Sequence, residues 1–380
     1  MSVSVSVSVS ENPSVSIVIP TYNEANNIEA VIGKFLASEY PNIIEILIVD
    51  GLSTDGTPEK VNNLSSAYPQ VKLLENPLRI QSAGLNIALA ASEGDIFLRA
   101  DAHCNYAPDY VEQCVHALQT SQAANVGGAQ RFVAANAFQA GVALASRSLL
   151  GSGGAKYRDP QYNGYAETVF LGCFWRSILA EVGGYEVTRK EDSELNFRLL
   201  KTQGDRAIYI SSKIRVWYYP RRNLLGLWRQ YVKYGRGSCI VSARYADTLP
   251  LRNKIPFFGV MMLTIALIVD LTLLHGSLYT IPLIFLGICL IATEAARVTA
   301  KYNRSFREEF WGNQRRSVPS IISRWFWCTV AIATMPIAHF SGFGYQLWLR
   351  NILGNKDNCF FESRSCIPRH KSQAKEKIKA

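Results

Sequence analysis

The sequence predicts an α/β domain with a mostly parallel sheet, followed by helices that meet a membrane. Three observations predict it. Short apolar runs alternate with helix-period runs from Val15 to Ala100. Three of the apolar runs end in polar loops, at Thr21–Glu24, Asp50–Thr57 and Asp101–His103. Long apolar runs occur only after Pro256. Strand–helix alternation at this pace means right-handed crossovers. Such crossovers bring the three polar loops to one edge, where open α/β sheets bind ligands.

The elements follow in order. Residues 15–20, Val-Ser-Ile-Val-Ile-Pro, read as a buried strand. Ala25 to Leu36 reads as a helix with Ile28, Val31, Ile32 and Phe35 on one face. Ile44 to Val49 is a second strand, and a helix and a strand near Val71–Leu74 follow it. After the loop Glu75–Arg79 come a helix from about Gln81 to Ala91 and the strand Asp95–Ala100. Further on, Ala124–Gln130 reads as a strand, Phe138–Leu150 as an apolar helix and Gly151–Gly164 as a flexible loop. A helix opens at Glu191-Asp192 after Gly183-Gly184-Tyr185.

The strand-end loops suit a nucleotide. Asp50 can accept a hydrogen bond from a base N–H, and Tyr22 offers a ring and a hydroxyl. The other reading of Asp50–Thr57 is a turn rich in Ser, Asp and Gly that caps the next helix. Arg79 and Gln81 precede a helix, where phosphate oxygens are readily held, or are solvated surface. Asp101 and His103, one residue apart at a strand's carboxyl end, can reach one metal-bound diphosphate. Asp192 is by itself an acidic residue in a first helical turn, favourable against the helix dipole.

Composition narrows the partners. The net charge of +10 is concentrated after Arg215, beside the apolar runs, which favours an anionic membrane surface over nucleic acid. No nucleic-acid motif is present. The eight cysteines show no CxxC pair and no zinc spacing, as expected of reduced thiols in a cytoplasmic chain. The Ser-Val repeat up to Ser10 lacks the basic and apolar regions of a signal peptide, so residues 1–13 are expected to form a disordered leader.

Taken together, Ile19-Pro20-Thr21-Tyr22-Asn23-Glu24, Val49-Asp50-Gly51-Leu52-Ser53-Thr54-Asp55-Gly56-Thr57, Asn86 and Asp101-Ala102-His103 resemble the family 2 glycosyltransferases. Those are inverting enzymes of the GT-A fold, and the Asp-Ala-His variant resembles the succinoglycan-type exopolysaccharide enzymes. The resemblance implies a nucleotide-sugar site of Pro20, Thr21, Tyr22, Glu24, Asp50, Arg79, Asn86 and Asp101. It implies a divalent metal, Mn²⁺ or Mg²⁺, on Asp101 and His103, although His103 stands where the family usually has an Asp. A carboxylate–imidazole pair suits Mn²⁺ better than Mg²⁺. It also implies Asp192 as general base, supported by Glu191.

Leu224 to Ala243 forms a basic amphipathic helix. Leu224, Leu227, Trp228, Tyr231 and Tyr234 share one face, and Arg229, Lys233 and Arg236 form a cationic stripe. It suits a membrane interface or a lid over the active site. Gln230-x-x-Lys233-Tyr234 also resembles the Gln-x-x-Arg-Trp motif of membrane glycosyltransferases, which implies that Gln230, Lys233, Tyr234 and Arg236 stand on the acceptor and diphosphate side. Pro256–Leu274 and Ser277–Ala296 are each long enough to cross a bilayer, joined at His275-Gly276. Asp270 inside the first is costly unless it faces protein or reaches the membrane surface. Arg297, Lys301, Arg304, Arg307, Arg315 and Arg316 follow the second, which puts that loop and the N-terminal domain on the cytoplasmic side. The shorter run Trp325–Phe340 is expected to be re-entrant or interfacial.

The expected layout is therefore a leader (1–13), a GT-A domain (14–220), an interface helix region (221–254), membrane helices (255–345) and a basic tail (346–380). The expected activity is transfer of a hexose from a nucleotide sugar, a UDP-sugar first, to a lipid-linked saccharide at the inner membrane. The rival readings are a processive polysaccharide synthase and a nucleotide-sensing membrane protein without catalysis.

Overall fold

Ile17, Val18, Ile19, Ile46, Leu47 and Ile48 are all fully buried. Successive strand residues point to opposite faces, so such runs need cover on both sides. The computed structural model, which describes residues 11–186, 191–244, 251–273, 279–312 and 315–352, supplies that cover. Its first half contains β1 (Val15–Thr21), α1 (Ile28–Leu36), β2 (Ile43–Asp50), α2 (Thr57–Ala67), β3 (Val71–Glu75), α3 (Gln81–Ala91), β4 (Ile96–Arg99) and β5 (Cys104–Tyr106). Next come α4 (Tyr110–Ser121), β6 (Asn125–Gly128), β7 (Gln130–Phe132), α5 (Ala137–Ala145), α6 (Leu149–Ser152), β8 (Gly164–Tyr165), β9 (Phe170–Trp175) and α7 (Arg176–Glu181). The chain continues with α8 (Glu191–Gln203), β10 (Ile208–Ile210), β11 (Val216–Tyr218), α9 (Leu224–Arg244), α10 (Leu251–Leu273), α11 (Thr280–Lys301), α12 (Phe306–Phe310) and α13 (Ile321–Ile352).

The large sheet has the order β3-β2-β1-β4-β9-β6-β10-β8. The first four strands are parallel. β9 runs antiparallel between β4 and β6, and β8 runs antiparallel on the edge. A smaller sheet, β5-β11-β7, lies beside it. Register sets the site. Thr21 pairs with Asp50, Val18 pairs with Arg99, and the Ala100 N–H donates to the Val18 carbonyl at 2.8 Å. Asp101 and Asp50 therefore leave the sheet on either side of Thr21.

Two expectations about residues 138–164 change. The apolar helix breaks at Ser148, whose hydroxyl turns back to cap α6 through the Gly151 N–H at 2.7 Å. Gly151–Gly164 is not a bare loop. It holds the second half of α6, a 3₁₀ turn at Lys156–Arg158 and the start of β8.

The C-terminal helices also differ from expectation. The run Trp325–Phe340 belongs to α13, a continuous helix of 32 residues that is apolar and long enough to cross a membrane, as is α11. In sequence the run looked short because polar residues interrupt it, yet several of them are used inside. Gln346, for example, is buried and accepts a hydrogen bond from Arg236 Nε at 3.0 Å. α13 packs along α9 and α5. A Cβ at Gly235 would overlap the His339 carbonyl, one at Gly342 the Val232 carbonyl, and one at Gly141 the Trp327 backbone. Gly235 and Gly342 thus let two helix backbones touch. α9 is accordingly a packed helix with Leu227, Cys239, Ile240 and Val241 buried. In α10, Asp270 is buried and accepts the Thr280 N–H at 3.0 Å, which caps α11 and meets its positive end. Part of the leader (1–10), Arg189-Lys190, His275-Gly276 and the tail from 353 lie outside the described residues.

Candidate active site

The loops after β1 and β2 interlock. The Asn23 N–H donates to Ser53 Oγ at 2.7 Å, and Asn23 Oδ1 accepts the Thr54 N–H at 2.9 Å. The Glu24 N–H meets Thr57 Oγ1 at 2.9 Å. The two loops are thereby one unit. Asp50 is buried, and its carboxylate accepts the Ser53 N–H at 2.7 Å and the Ser53 hydroxyl at 2.5 Å. Asp55 accepts the Thr57 N–H at 3.1 Å. The turn-and-cap reading of this loop is therefore realised whether or not a base also binds. Thr21 donates its hydroxyl to the Ile19 carbonyl at 3.0 Å. Tyr22 is half exposed beside Gly51, and Arg79 is exposed on the neighbouring loop with its Cα close to Gly51. Pro20 is partly exposed between the buried Ile19 and Thr21 of β1.

His103 meets this unit directly. Its Nδ1 lies 3.1 Å from Glu24 Oε1, and its ring stands edge-on to Tyr218 at 5.8 Å. Burial alone would lower the imidazole pKa. The Glu24 hydrogen bond and the Asp101 and Glu24 charges outweigh it, so the pKa is raised. Burial likewise opposes, and the His103 and Asn27 hydrogen bonds override, so that Glu24 is held below its ordinary value.

A second cluster centres on Arg99, the last residue of β4 and 4% exposed. Its Nη2 lies 3.7 Å from Asp101 and 4.0 Å from Glu191, and its Nη1 forms a close ion pair with Asp192. Asp101 also accepts from Gln81 Nε2 at 3.4 Å. One guanidinium thus joins the end of β4 to the start of α8. Burial and the neighbouring Asp192 charge push Glu191 up to about 7, against the pull of Arg99. Burial also raises Asp192, opposed by Arg99 and aided by Asp101. The Asp192 side chain still keeps 41% of its surface exposed.

Two contacts aim α8. Asn86 donates to the Tyr185 carbonyl at 2.7 Å and accepts the Tyr185 N–H at 2.8 Å. Both ends of its amide are therefore engaged in holding the loop before the acidic turn. Gly184, at φ +66°, packs so closely on Asn86 that a Cβ would strike its amide oxygen. Arg198 clasps Glu194 at 2.7 Å and reaches the Gly184 carbonyl at 2.7 Å.

On the far side of Tyr218, Gln230 donates to the Tyr218 hydroxyl at 3.3 Å and the Tyr234 hydroxyl at 3.0 Å. Lys233 is exposed. Arg236 turns away toward α13, with its guanidinium 5.1 Å from the Tyr345 ring centre. The structure thus gathers Asp101, Glu191 and Asp192 around Arg99 and pairs His103 with Glu24, close enough for the Asp101 charge to act on the imidazole, with Asp50 in the adjoining loop. Arg236 is not on that rim. Arg99 escaped the sequence reading, although a lone cation ending the buried strand Ile96–Arg99 was the signal that could have found it.

Asp101 and His103 could hold a cation between them. Among the described residues no third His, Cys, Asp or Glu completes a cluster with them. The pair still fits a site finished by phosphate oxygens and water. Among the described residues the side-chain contacts of the Asp101 carboxylate are long ones, and Glu24 engages the Nδ1 side of the His103 ring.

Residues 16–183 match the profile described as Glycosyl transferase family 2. Over 244 residues the chain is 38% identical to the succinoglycan biosynthesis protein ExoA of Rhizobium meliloti, covering 63% of this chain and 73% of that one. It is 32% identical over 117 residues to a dolichol-phosphate mannosyltransferase of Pyrococcus furiosus, covering 30% and 32%. In fold it resembles a mannosyltransferase from Pyrobaculum calidifontis solved with GDP-Man and Mn²⁺. The TM-score is 0.55 at 19% identity, with 89% and 88% of the two chains covered.

Proposed function

The chain belongs to glycosyl transferase family 2 and is a glycosyltransferase, and from that premise we propose that it moves a hexose from a UDP-sugar, with inversion, to a lipid-linked saccharide at the cytoplasmic face of the cell membrane. The observation that carries this reading is the Arg99 bridge, because it sets Asp192 beside the strand-end residues suited to a nucleotide diphosphate. α11 and α13, apolar and long enough to span, support the membrane setting. The dolichol-phosphate mannosyltransferase supports the lipid-linked acceptor, and the succinoglycan biosynthesis protein supports a role in polysaccharide synthesis.

In this reading the nucleotide lies along Pro20–Glu24, Asp50 and Arg79, with the sugar directed toward α8. Asp192 Oδ1 faces Arg99, and Oδ2 takes the proton of the acceptor hydroxyl. The acceptor oxygen bonds to the anomeric carbon from the face opposite the phosphate. The bond from that carbon to the phosphate oxygen breaks, and the nucleoside diphosphate leaves. A raised pKa makes Asp192 a stronger base than an ordinary aspartate. Asp101 and His103 would hold a divalent ion, with Mn²⁺ suiting the mixed donors, and when bound it neutralises charge on the departing diphosphate. Gln230 and Tyr234 face the acceptor.

Asp192→Asn tests the assignment in membranes supplied with labelled UDP-hexoses, with transfer read as label in the lipid extract. Turnover should fall by about 10³-fold or more while UDP affinity stays unchanged. Near-normal turnover would remove Asp192 as the base.

A further inference from the structure

α11 changes character along its length. Phe285, Ile288 and Leu290 are apolar and more than half exposed, whereas Glu294, Arg297 and Lys301 follow in its last turns. In a helix that crosses a bilayer, such a change marks the boundary between lipid and water. Trp325 of α13 meets α11 at that level, where its Nε1 donates to the Ala292 carbonyl at 2.9 Å. Tryptophan is favoured at such boundaries because its ring is apolar and its N–H polar. Glu294 lies two residues on, about 3 Å further along the axis. Its carboxylate accepts Arg297 Nε at 2.6 Å and the Leu149 N–H at 3.0 Å. The second bond holds the first residue of α6 at the boundary. Leu149 and Leu150 are 66% and 53% exposed there, on a turn that packs against both α11 and α13. Adjacent exposed leucines at this depth gain by moving from water into lipid.

We propose that α6 is a membrane wedge, which presses Leu149 and Leu150 into the phospholipid of the cytoplasmic leaflet beside the end of α11. The wedge rests on the membrane reading above and adds to it a contact made by the segment between β7 and β8, outside the spanning helices. Arg297, bound to the same carboxylate as Leu149 and exposed, stands beside the leucines where anionic headgroups lie. The wedge also bears on the site. α6 leads into the Lys156–Arg158 turn, where the Arg158 guanidinium lies 4.7 Å from the Phe132 ring centre. Phe132 meets Tyr218 at 5.5 Å, and Tyr218 meets His103 at 5.8 Å. Lipid contact at α6 therefore sets the height of the strand-end rim above the membrane surface, through a short run of packed rings.

Photo-crosslinking of the full chain tests the wedge. Benzoylphenylalanine replaces, one at a time, Leu149, Leu150, Phe285 on α11 and Tyr68 at the end of α2 beside the edge strand β3. All four side chains are exposed, so each replacement leaves the core untouched. The chains are placed in vesicles of phosphatidylethanolamine and phosphatidylglycerol that carry radiolabelled phospholipid, and light-dependent label on the protein is counted. Label at Leu149 and Leu150 should exceed that at Tyr68 by about fivefold or more, as it should at Phe285. A smaller excess at both leucines, with lipid found at Phe285, overturns the wedge and leaves the membrane reading standing. No lipid at Phe285 or at the leucines overturns both. A cross-link from the leucines to a second copy of the chain in place of lipid also overturns the wedge.

Discussion

At the rim, Arg99 meets Asp101, Glu191 and Asp192, and Glu24 meets His103. Between α9 and α13, Gly235 and Gly342 let backbone touch backbone. The first region is held by charges, the second by shape. Charged contacts in a partly buried place change with protonation, whereas close packing does not. The difference also separates α13 from α11. Both are apolar, yet 33% of the apolar window of α13 is buried against 11% for α11. Apolar composition gives both helices the capacity to span, and only the glycine faces and polar contacts make one of them part of the catalytic body.

Arg99→Met breaks the comparison hardest. It leaves three carboxylates around an apolar side chain, and the loss of one partner from a buried ionic cluster costs about 3–5 kcal/mol. Urea unfolding should show that loss at pH 8 and a smaller one at pH 5, where Glu191 and Asp192, both raised, carry more protons. A pH-independent change would mean that charge does not hold the rim.

Glu191→Gln sharpens the same point with the opposite sign. Glu191 sits at about 7 in the fold against 4.5 as its ordinary value. Its contribution to stability is therefore fully present below pH 4.5 and is lost as pH rises to 7 and above. The variant should be more stable than wild type at pH 8, by up to about 3 kcal/mol, and equal to it near pH 4.5. A variant less stable at pH 8 would show that the carboxylate is not strained there.

The smallest effect belongs to the helices. Gly235→Ala should destabilise by about 1–3 kcal/mol at every pH, because the new methyl meets the His339 carbonyl. Gly287→Ala in α11, where a Cβ meets nothing within 4 Å, should be neutral or slightly stabilising. Thermal unfolding in detergent separates the two. Equal effects would mean that α13 is no more firmly packed than α11.

Much of the rim was legible in the sequence. β1, β2, β4 and α3 fall where their apolar runs predict them, since buried parallel strands and one-faced helices leave strong local patterns. The helix break at Ser148 was not legible, because Ser148 caps with a hydroxyl that reads as one more helix residue. Asn86 was legible as a residue of interest; its double hold on Tyr185, 99 positions away, was not. Arg236 looked like part of a cationic stripe because spacing along α9 says nothing of the helix that would cover it.

The sequence by itself determined the alternating α/β order, the polar strand ends and the apolar helices, because periodicity and turn chemistry act over a few residues. Only the tertiary structure decided that Arg99 joins Asp101 to Asp192, that Asp270 caps α11 and that α13 is part of the catalytic body. Each of those depends on which distant backbone comes within hydrogen-bonding or van der Waals reach. That is fixed by how the whole chain buries its surface, not by any one stretch of it.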